Sequence, residues 1–218
     1  MIELRNLTKS YITKQGRKYV FRNLNTIFPS GKNIGIFGRN GAGKSTLLRM
    51  IGGVDFPDSG KIITNKTISW PVGLSGGSQG SLTGRDNVKF VCRINGIHGE
   101  DMKKVIGYVQ DFAEIGKYFE LPVKTYSTGM RARVSFGLSM AIDFDYYLID
   151  EIMAVGDPFF RKKSRRVFAE KRKRSNIIIV SHDVKSLQEM CDIGVVLKDG
   201  KITIFEDITN AIKYYTAP

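Results

Sequence analysis

Nine consecutive residues, Gly38-Arg39-Asn40-Gly41-Ala42-Gly43-Lys44-Ser45-Thr46, have the types and spacing that grip a polyphosphate. Glycines let a backbone curl so that successive N–H groups face phosphate oxygens. The helix expected to start at Lys44 adds the positive end of its dipole. The Lys44 ammonium can reach a β- or γ-phosphate, and the Ser45 hydroxyl can ligate Mg²⁺. On average residue usage, a chance match to this pattern in a chain of this length has a probability of about one in a hundred. A buried strand before the loop and a helix after it are the context the phosphate-binding loop (P-loop) requires. Residues 38–46 are therefore read as a nucleotide site.

Two further groups suit hydrolysis. Tyr146-Tyr147-Leu148-Ile149 is an apolar run that ends in Asp150-Glu151. Asp150 occupies the place of a carboxylate that holds Mg²⁺ through water, and Glu151 that of a general base for the attacking water. Ile177–Val180 ends in Ser181-His182-Asp183. A neutral His182 at a strand end beside the P-loop strand can hydrogen-bond a γ-phosphate. The other histidine, His98, lies between Gly96 and Gly99 with no motif around it, and is read as a solvent-facing loop residue.

The elements that must hold these groups follow from pattern. Strands are expected at Ile2–Leu7, Val20–Phe28, Asn33–Phe37, Lys61–Thr64, Thr67–Trp70, Tyr146–Ile149 and Ile177–Val180. A hairpin is expected over Ile193–Leu197 and Ile202–Phe205, around Asp199-Gly200. Helices are expected at Lys44–Ile51, across Arg85–Tyr118 with a break near Gly96–Gly99, at Thr128–Ile142, at the basic stretch Phe159–Arg174, and after a capping Asp183. The Thr128 helix is expected to bury one line, Met130, Val134, Leu138 and Ala141. Strands alternating with helices predict an α/β fold with a mostly parallel sheet, and the early strands an antiparallel β portion beside it.

Composition sets the outer bounds. The chain has 218 residues, 42% hydrophobic and 25% charged, which excludes a disordered or collagen-like protein. Two cysteines, Cys92 and Cys191, make no disulfide framework. No apolar run approaches a membrane span and the N-terminus lacks a signal-peptide layout, so a cytosolic or cytosol-facing protein is expected. The 34 Lys and Arg against 21 Asp and Glu give a net charge of +13, which favours an anionic partner without choosing among nucleotide, nucleic acid, lipid and acidic polymer. Nine cations crowd Arg161–Arg174, where a solvated helix face is the favoured reading.

The order of motifs resembles the nucleotide-binding subunits of ABC transporters: a strand, the P-loop, a helical insert, Tyr126-Ser127-Thr128-Gly129-Met130 opening a helix, Asp150-Glu151, Ala154-Val155-Gly156-Asp157, then His182. That resemblance implies one ABC ATPase domain over residues 1–218: a P-loop NTPase core with a mostly parallel sheet, an antiparallel β portion and a helical subdomain at about residues 85–142. It implies ATP and Mg²⁺ as ligands, with Ser45 and Asp150 on the metal and Glu151 and His182 catalytic. Ser127 and Gly129 become the signature that touches the γ-phosphate held by the other subunit, and Ala154–Asp157 the D-loop. Tyr11 is the candidate for the aromatic that stacks on adenine, with Tyr19 its rival. Ile68–Leu74, Gly80–Asn87 and the Tyr-Ser-Thr-Gly-Met signature look like the KpsT-type branch that exports capsular polysaccharide. The branch implies a homodimer in the ATP-bound state, two integral-membrane permease subunits, a lipid-linked polysaccharide substrate, and a place on the cytoplasmic face of a Gram-negative inner membrane. With the last residue at Pro218, no carbohydrate-binding domain of the O-antigen exporters is expected. Exporters of O-antigen or teichoic acid, a nucleic-acid-associated ABC ATPase and an ATP sensor without turnover are the alternatives. Long coiled-coil insertions or paired cassettes, absent from this sequence, would mark the nucleic-acid class.

Two departures from the general ABC pattern stand out. The signature has Tyr-Ser-Thr-Gly-Met where Leu-Ser-Gly-Gly-Gln is usual. The Q-loop glutamine is expected near Leu74, and the nearest, Gln79, is read as a coupling-surface residue rather than a Mg²⁺ ligand. A decoy, Leu74-Ser75-Gly76-Gly77-Ser78, looks more like the usual signature than residues 126–130 do. It is rejected because the signature must open a helix leading directly into the Asp150 strand, and Thr128 onward does so. Ser127→Arg is therefore expected to stop hydrolysis by the dimer, and Ser75→Arg to leave the ATPase activity of the isolated subunit largely intact. Steady-state phosphate release from both variants decides between them; the reverse pattern overturns the assignment.

Overall fold

A computed structural model describes residues 1–72, 79–150, 157–181 and 183–217, arranged as two compact units. Among the described residues no helix is long and apolar enough to cross a membrane.

The first unit comprises Met1–Pro71, Phe144–Glu151 and Arg174–Pro218. It starts with a long hairpin, β1 (Ile2–Thr13) and β2 (Gly16–Phe28). These strands run several residues beyond the predicted ones, because residues 8–20 lack the apolar alternation that signals a strand in sequence. Ile2 and Leu4 face inward, and then β1 shifts register around Asn6, which sits at φ 50°. The bulge moves the inward parity by one residue, so that Leu7 and Lys9 are buried. β3 (Ile34–Gly38) enters the P-loop and α1 (Lys44–Ile51) leaves it. β4 (Ser59–Thr64) completes a three-stranded antiparallel sheet in the order β2-β1-β4.

The second sheet adds β5 (Ile68–Pro71), β6 (Tyr146–Asp150), β7 (Asn176–Val180), β8 (Ile193–Lys198) and β9 (Lys201–Phe205). Its order is β5-β6-β7-β3-β8-β9, parallel except for β9. β3, β6 and β7 are almost wholly buried, as unalternating Ile, Val and Leu runs are when helices cover both faces of a parallel sheet. One core joins Ile34, Ile36, Leu148, Ile178 and Val195 of the strands to Leu47, Leu48 and Ile51 of α1. After β7 comes α6, counted after the two helix pairs of the second unit and spanning Val184–Met190; Asp183 caps it as predicted, accepting from the Lys185 N–H at 3.1 Å. The last helix, α7 (Ile208–Thr216), lies on β3 and β8 where Gly35 and Gly194 are register partners. A Cβ at Gly194 would stand 2.1 Å from Ala211 Cβ, so the two glycines are what let the helix approach.

The second unit comprises Val72–Asp143 and Ile152–Lys173. Its helices are α2 (Gly84–Ile94), α3 (Gly99–Ala113), α4 (Thr128–Ala141) and α5 (Pro158–Arg172). The predicted break at Gly96–Gly99 is present. The predicted continuation to Tyr118 is not: Glu114 takes φ 51° and ends α3, and Gly116–Glu120 is a short 3₁₀ turn. α4 is buried over more of its surface than one line, with Ala132, Val134 and Phe136–Met140 all inside. Stacked and edge-on rings of Phe112, Phe136 and Phe160 join α3, α4 and α5. The basic α5 is thus a packed element of this unit, and three of the nine cations in Arg161–Arg174 are paired: Lys163 with Glu114, Lys171 with Asp143 and Lys173 with Glu170.

Gly194→Ala is expected to lower stability by about 1–3 kcal/mol, the usual cost of an overpacked core. In a chain of this size that is about 2–4 °C of melting temperature per kcal/mol, readable by thermal unfolding.

Candidate nucleotide site

The P-loop is shaped by close approach. Gly38, Gly41 and Gly43 have φ of 156°, 81° and 98°, values an L side chain rarely adopts. At Gly43 a Cβ would also stand 2.4 Å from Val20 Cγ1 and 2.8 Å from Phe21 Cζ. β2 therefore presses on the loop where α1 begins. The Ala42 N–H donates to the Arg39 carbonyl at 3.1 Å and closes the turn through Asn40 and Gly41. Gly43 is the N-cap of α1 and supplies no capping side chain, and no acid lies in the first turn. The helix end is left as an anion receptor.

Lys44 is buried. Its ammonium donates to the carbonyls of Gly38 at 2.7 Å and Arg39 at 3.2 Å, so the charge is held inside the arch of the loop. The Ser45 hydroxyl donates to Asp150 Oδ1 at 3.1 Å. Asp150 reaches that point because β6 and β3 flank β7, with Asp150 and Ile36 both register partners of Val180. This is the carboxyl end of a parallel sheet, the place where open α/β sheets bind ligands. A hydroxyl beside a carboxylate is a hard-oxygen pair that fits Mg²⁺. Among the described residues no group of three or more His, Cys, Asp or Glu could hold a metal.

A cleft of about 280 Å³ is lined by Tyr11, Lys18, Val20, Gly41 and Gly43–Thr46. Tyr11 is half-exposed. Its hydroxyl donates to Asp55 Oδ2 at 2.8 Å, and the Lys9 ammonium sits 5.1 Å from its ring centre. Lys9, buried by the β1 bulge, donates to Asp55 Oδ1 at 2.6 Å and to the Phe56 carbonyl at 2.7 Å. Burial works against the Asp55 carboxylate, but the hydrogen bonds from Lys9 and Tyr11 hold its pKa below the ordinary value. Tyr19 does not line this cleft; the Arg22 guanidinium lies 3.8 Å over its ring. Of the two candidate aromatics, Tyr11 lines the cleft with Gly43–Thr46, and Tyr19 lies on the outer side of the loop beside Arg39–Ala42.

In the second unit, Ser127 caps α4 by accepting from the Met130 N–H at 3.1 Å, so residues 126–130 do open a helix. Around Gly129 only the Ser127 hydroxyl lies near a hypothetical Cβ, at 3.9 Å, which leaves open space there. Tyr126 is buried, and its hydroxyl accepts from the Gly84 N–H at 3.1 Å. Burial raises its pKa, and the bond from Gly84 offsets part of that rise. The Val123 and Lys124 N–H groups donate to the carbonyls of Leu82 and Gly80, zipping the segment before the signature to residues 80–84. Asn87 ties down Gln79 through both of its backbone groups. His98 precedes α3 at its N-cap and donates no side-chain cap.

Glu151, Ala154–Gly156 of the D-loop stretch, His182 and the decoy from Leu74 to Ser78 lie outside the described residues; Asp157 caps α5. Sequence reading missed Lys9, Asp55 and Lys18. A lysine and an aspartate 46 positions apart carry no signal until the bulge buries one against the other. Lys18 had one available signal, its alternation with Val20 on the strand facing Gly43.

The fold and this site define an ATP-binding cassette. The family described as ABC transporter matches residues 21–154, and the chain belongs to it. Its enzyme class is that of the ABC ATPases. It is 58% identical over 216 residues to the polysialic acid transport ATP-binding protein KpsT of Escherichia coli, covering 99% of this chain and 96% of that protein. It is 46% identical to the capsule polysaccharide export ATP-binding protein CtrD of Neisseria meningitidis serogroup B, covering 100% and 99%. Among solved structures, the dimeric post-hydrolysis state of the cassette MJ0796 bound to ADP and Pi has the same fold, with a TM-score of 0.72, 22% identity, and coverage of 94% and 98%.

Lys44→Ala removes a charged donor worth about 1.5–3 kcal/mol, so the Kd for a fluorescent ATP analogue should rise roughly ten- to hundredfold. Circular dichroism should be unchanged. An unchanged Kd would place the phosphates elsewhere.

Proposed function

We propose that this chain is the ATP-hydrolysing subunit of an exporter that moves lipid-linked capsular polysaccharide across the inner membrane. The observation that carries the hydrolytic half is the Ser45–Asp150 pair at the mouth of a P-loop whose lysine is already drawn inward. The exported polymer is supported by the names of the relatives above, whose full length this chain matches. Those names favour a transporter over a nucleic-acid-associated ATPase.

In this reading Gly38–Ser45 wrap the phosphates, Tyr11 stacks on the adenine, and Thr46 follows in the first turn of α1. Ser45 and Asp150 hold Mg²⁺, which when bound neutralises the charge that develops between the β- and γ-phosphates. Glu151 takes a proton from the attacking water, and His182 hydrogen-bonds the γ-phosphate. Ser127 and Gly129 act on the ATP of a second copy of this chain, so two copies close on two ATP molecules. Two permease subunits receive the motion at the cytoplasmic face of the membrane. The fixed partners of Ser127 and Tyr126 in the second unit support this division of labour: the signature hydroxyl is held at a helix start, where an anion is favoured.

Glu151→Gln keeps the shape and removes the base. ATP should still bind, hydrolysis should collapse, and an ATP-bound dimer should accumulate on gel filtration. Cells carrying only this variant should retain the polysaccharide inside. Wild-type turnover with monomer only would count against the catalytic assignment. Normal surface polymer in cells lacking the protein would count against the transport assignment.

A further inference from the structure

A second, larger cavity lies in the first unit. It has a volume of about 850 Å³ and borders residues Arg39–Ala42 of the P-loop. β2 and the β8–β9 turn form its other walls. It shares Lys18, Val20 and Gly41 with the nucleotide cleft but not Tyr11, Lys44, Ser45 or Thr46. Six cations line it: Arg17, Lys18, Arg22, Arg39, Lys198 and Lys201. The only acid in the lining is Asp199.

None of the six has an ion-pair partner among the described residues. In the Arg161–Arg174 stretch, by comparison, three of the nine cations, Lys163, Lys171 and Lys173, find carboxylates. Two features show that the charge is organised. Lys198 and Lys201 are direct cross-strand partners at the hairpin end, where like charges repel. The turn that places them is fixed by Asp199 at φ 50° and Gly200 at φ 73°, the backbone of a tight two-residue hairpin. The Arg22 guanidinium is laid flat over Tyr19, which orients its fork of donors. Repelling lysines and an oriented guanidinium are satisfied together by a compact ligand of high negative charge. A single carboxylate would neutralise only one of the six. The volume lies within the range of small-molecule sites.

We propose that this cavity is a second anion site that takes a chain of phosphates, separate from the P-loop cradle and in contact with its outer residues. Guanidiniums match phosphate oxygens two at a time, and lysines act as point charges beside them. The ligand would lie against Arg39–Ala42, so its binding and ATP binding would act on the same loop. The site does not depend on which polymer the transporter exports.

The probe is inorganic triphosphate, titrated calorimetrically into the full chain at about 0.15 M salt, where loosely placed surface charges are screened. Wild type should bind two equivalents. The triple variant Arg22→Ala/Lys198→Ala/Lys201→Ala should bind one, with its affinity for a fluorescent ATP analogue and its ATPase activity retained. Lys44→Ala should keep the other equivalent. In that variant, ATP and triphosphate binding equally well would mean a site that reads phosphates alone; tighter ATP binding would place a base on the Arg22–Tyr19 stack. A single equivalent in wild type, two in the triple variant, or a parallel loss of ATP affinity would overturn the proposal. Should the triple variant fail to fold, Lys201→Glu alone is expected to weaken the second equivalent at least tenfold, and an unchanged affinity would overturn it equally.

Discussion

The nucleotide site depends on the absence of one carbon atom. With no Cβ at Gly43, Val20 and Phe21 of β2 close against the start of α1, and the loop is pinned between an antiparallel sheet and a parallel one. That pressure lets Lys44 turn back under its own loop and sets Ser45 beside Asp150. An alanine at position 43 would have to push β2 away, and the Tyr11 edge of the cleft is joined to β2 through the same hairpin.

Much of this arrangement is legible in the sequence, for stated physical reasons. The buried strands β3, β6 and β7 read correctly because strands covered on both faces carry unbroken apolar runs. The Asp183 cap and the helix start at Thr128 read correctly because helix starts are set by local interactions; that Ser127 caps the second of these is seen only in the structure. The hairpin arms around residues 13–16 did not read, since Tyr11–Tyr19 is held by cross-strand pairing rather than by an apolar face. α4 misled for the opposite reason: Phe136, Gly137 and Ser139 are buried by neighbours that a periodic pattern in one helix cannot report. That Ser45 and Asp150 meet follows from a P-loop and, downstream, an apolar strand that ends in an acid. The Lys9–Asp55–Tyr11 network was not, because a bulge in β1 decides which residues face inward.

Two groups of cations contribute to the net charge of +13 in different ways. On α5 the visible cationic run is partly neutralised by acids of its own unit, and its Phe160 and Phe168 are core residues. Around the outer side of the P-loop the cations come from three separate stretches of chain and have no ion-pair partner among the described residues. A charge run in sequence thus overstates one surface and conceals the other, since only folding gathers Arg22, Arg39 and Lys198 into one place.

The order of strands has a consequence for how the protein is made. β3 carries the P-loop early in the chain, yet its two sheet neighbours are β7 and β8, so Ile34 waits for Ile178 and Ile193. The glycine pair under α7 is covered later still, when Ile208 and Ala211 arrive. A ribosome therefore completes the phosphate-binding loop long before the sheet that aims it exists. The nascent chain holds an apolar strand with both edges unpaired for most of its synthesis, the kind of exposure that makes partly made chains prone to aggregate.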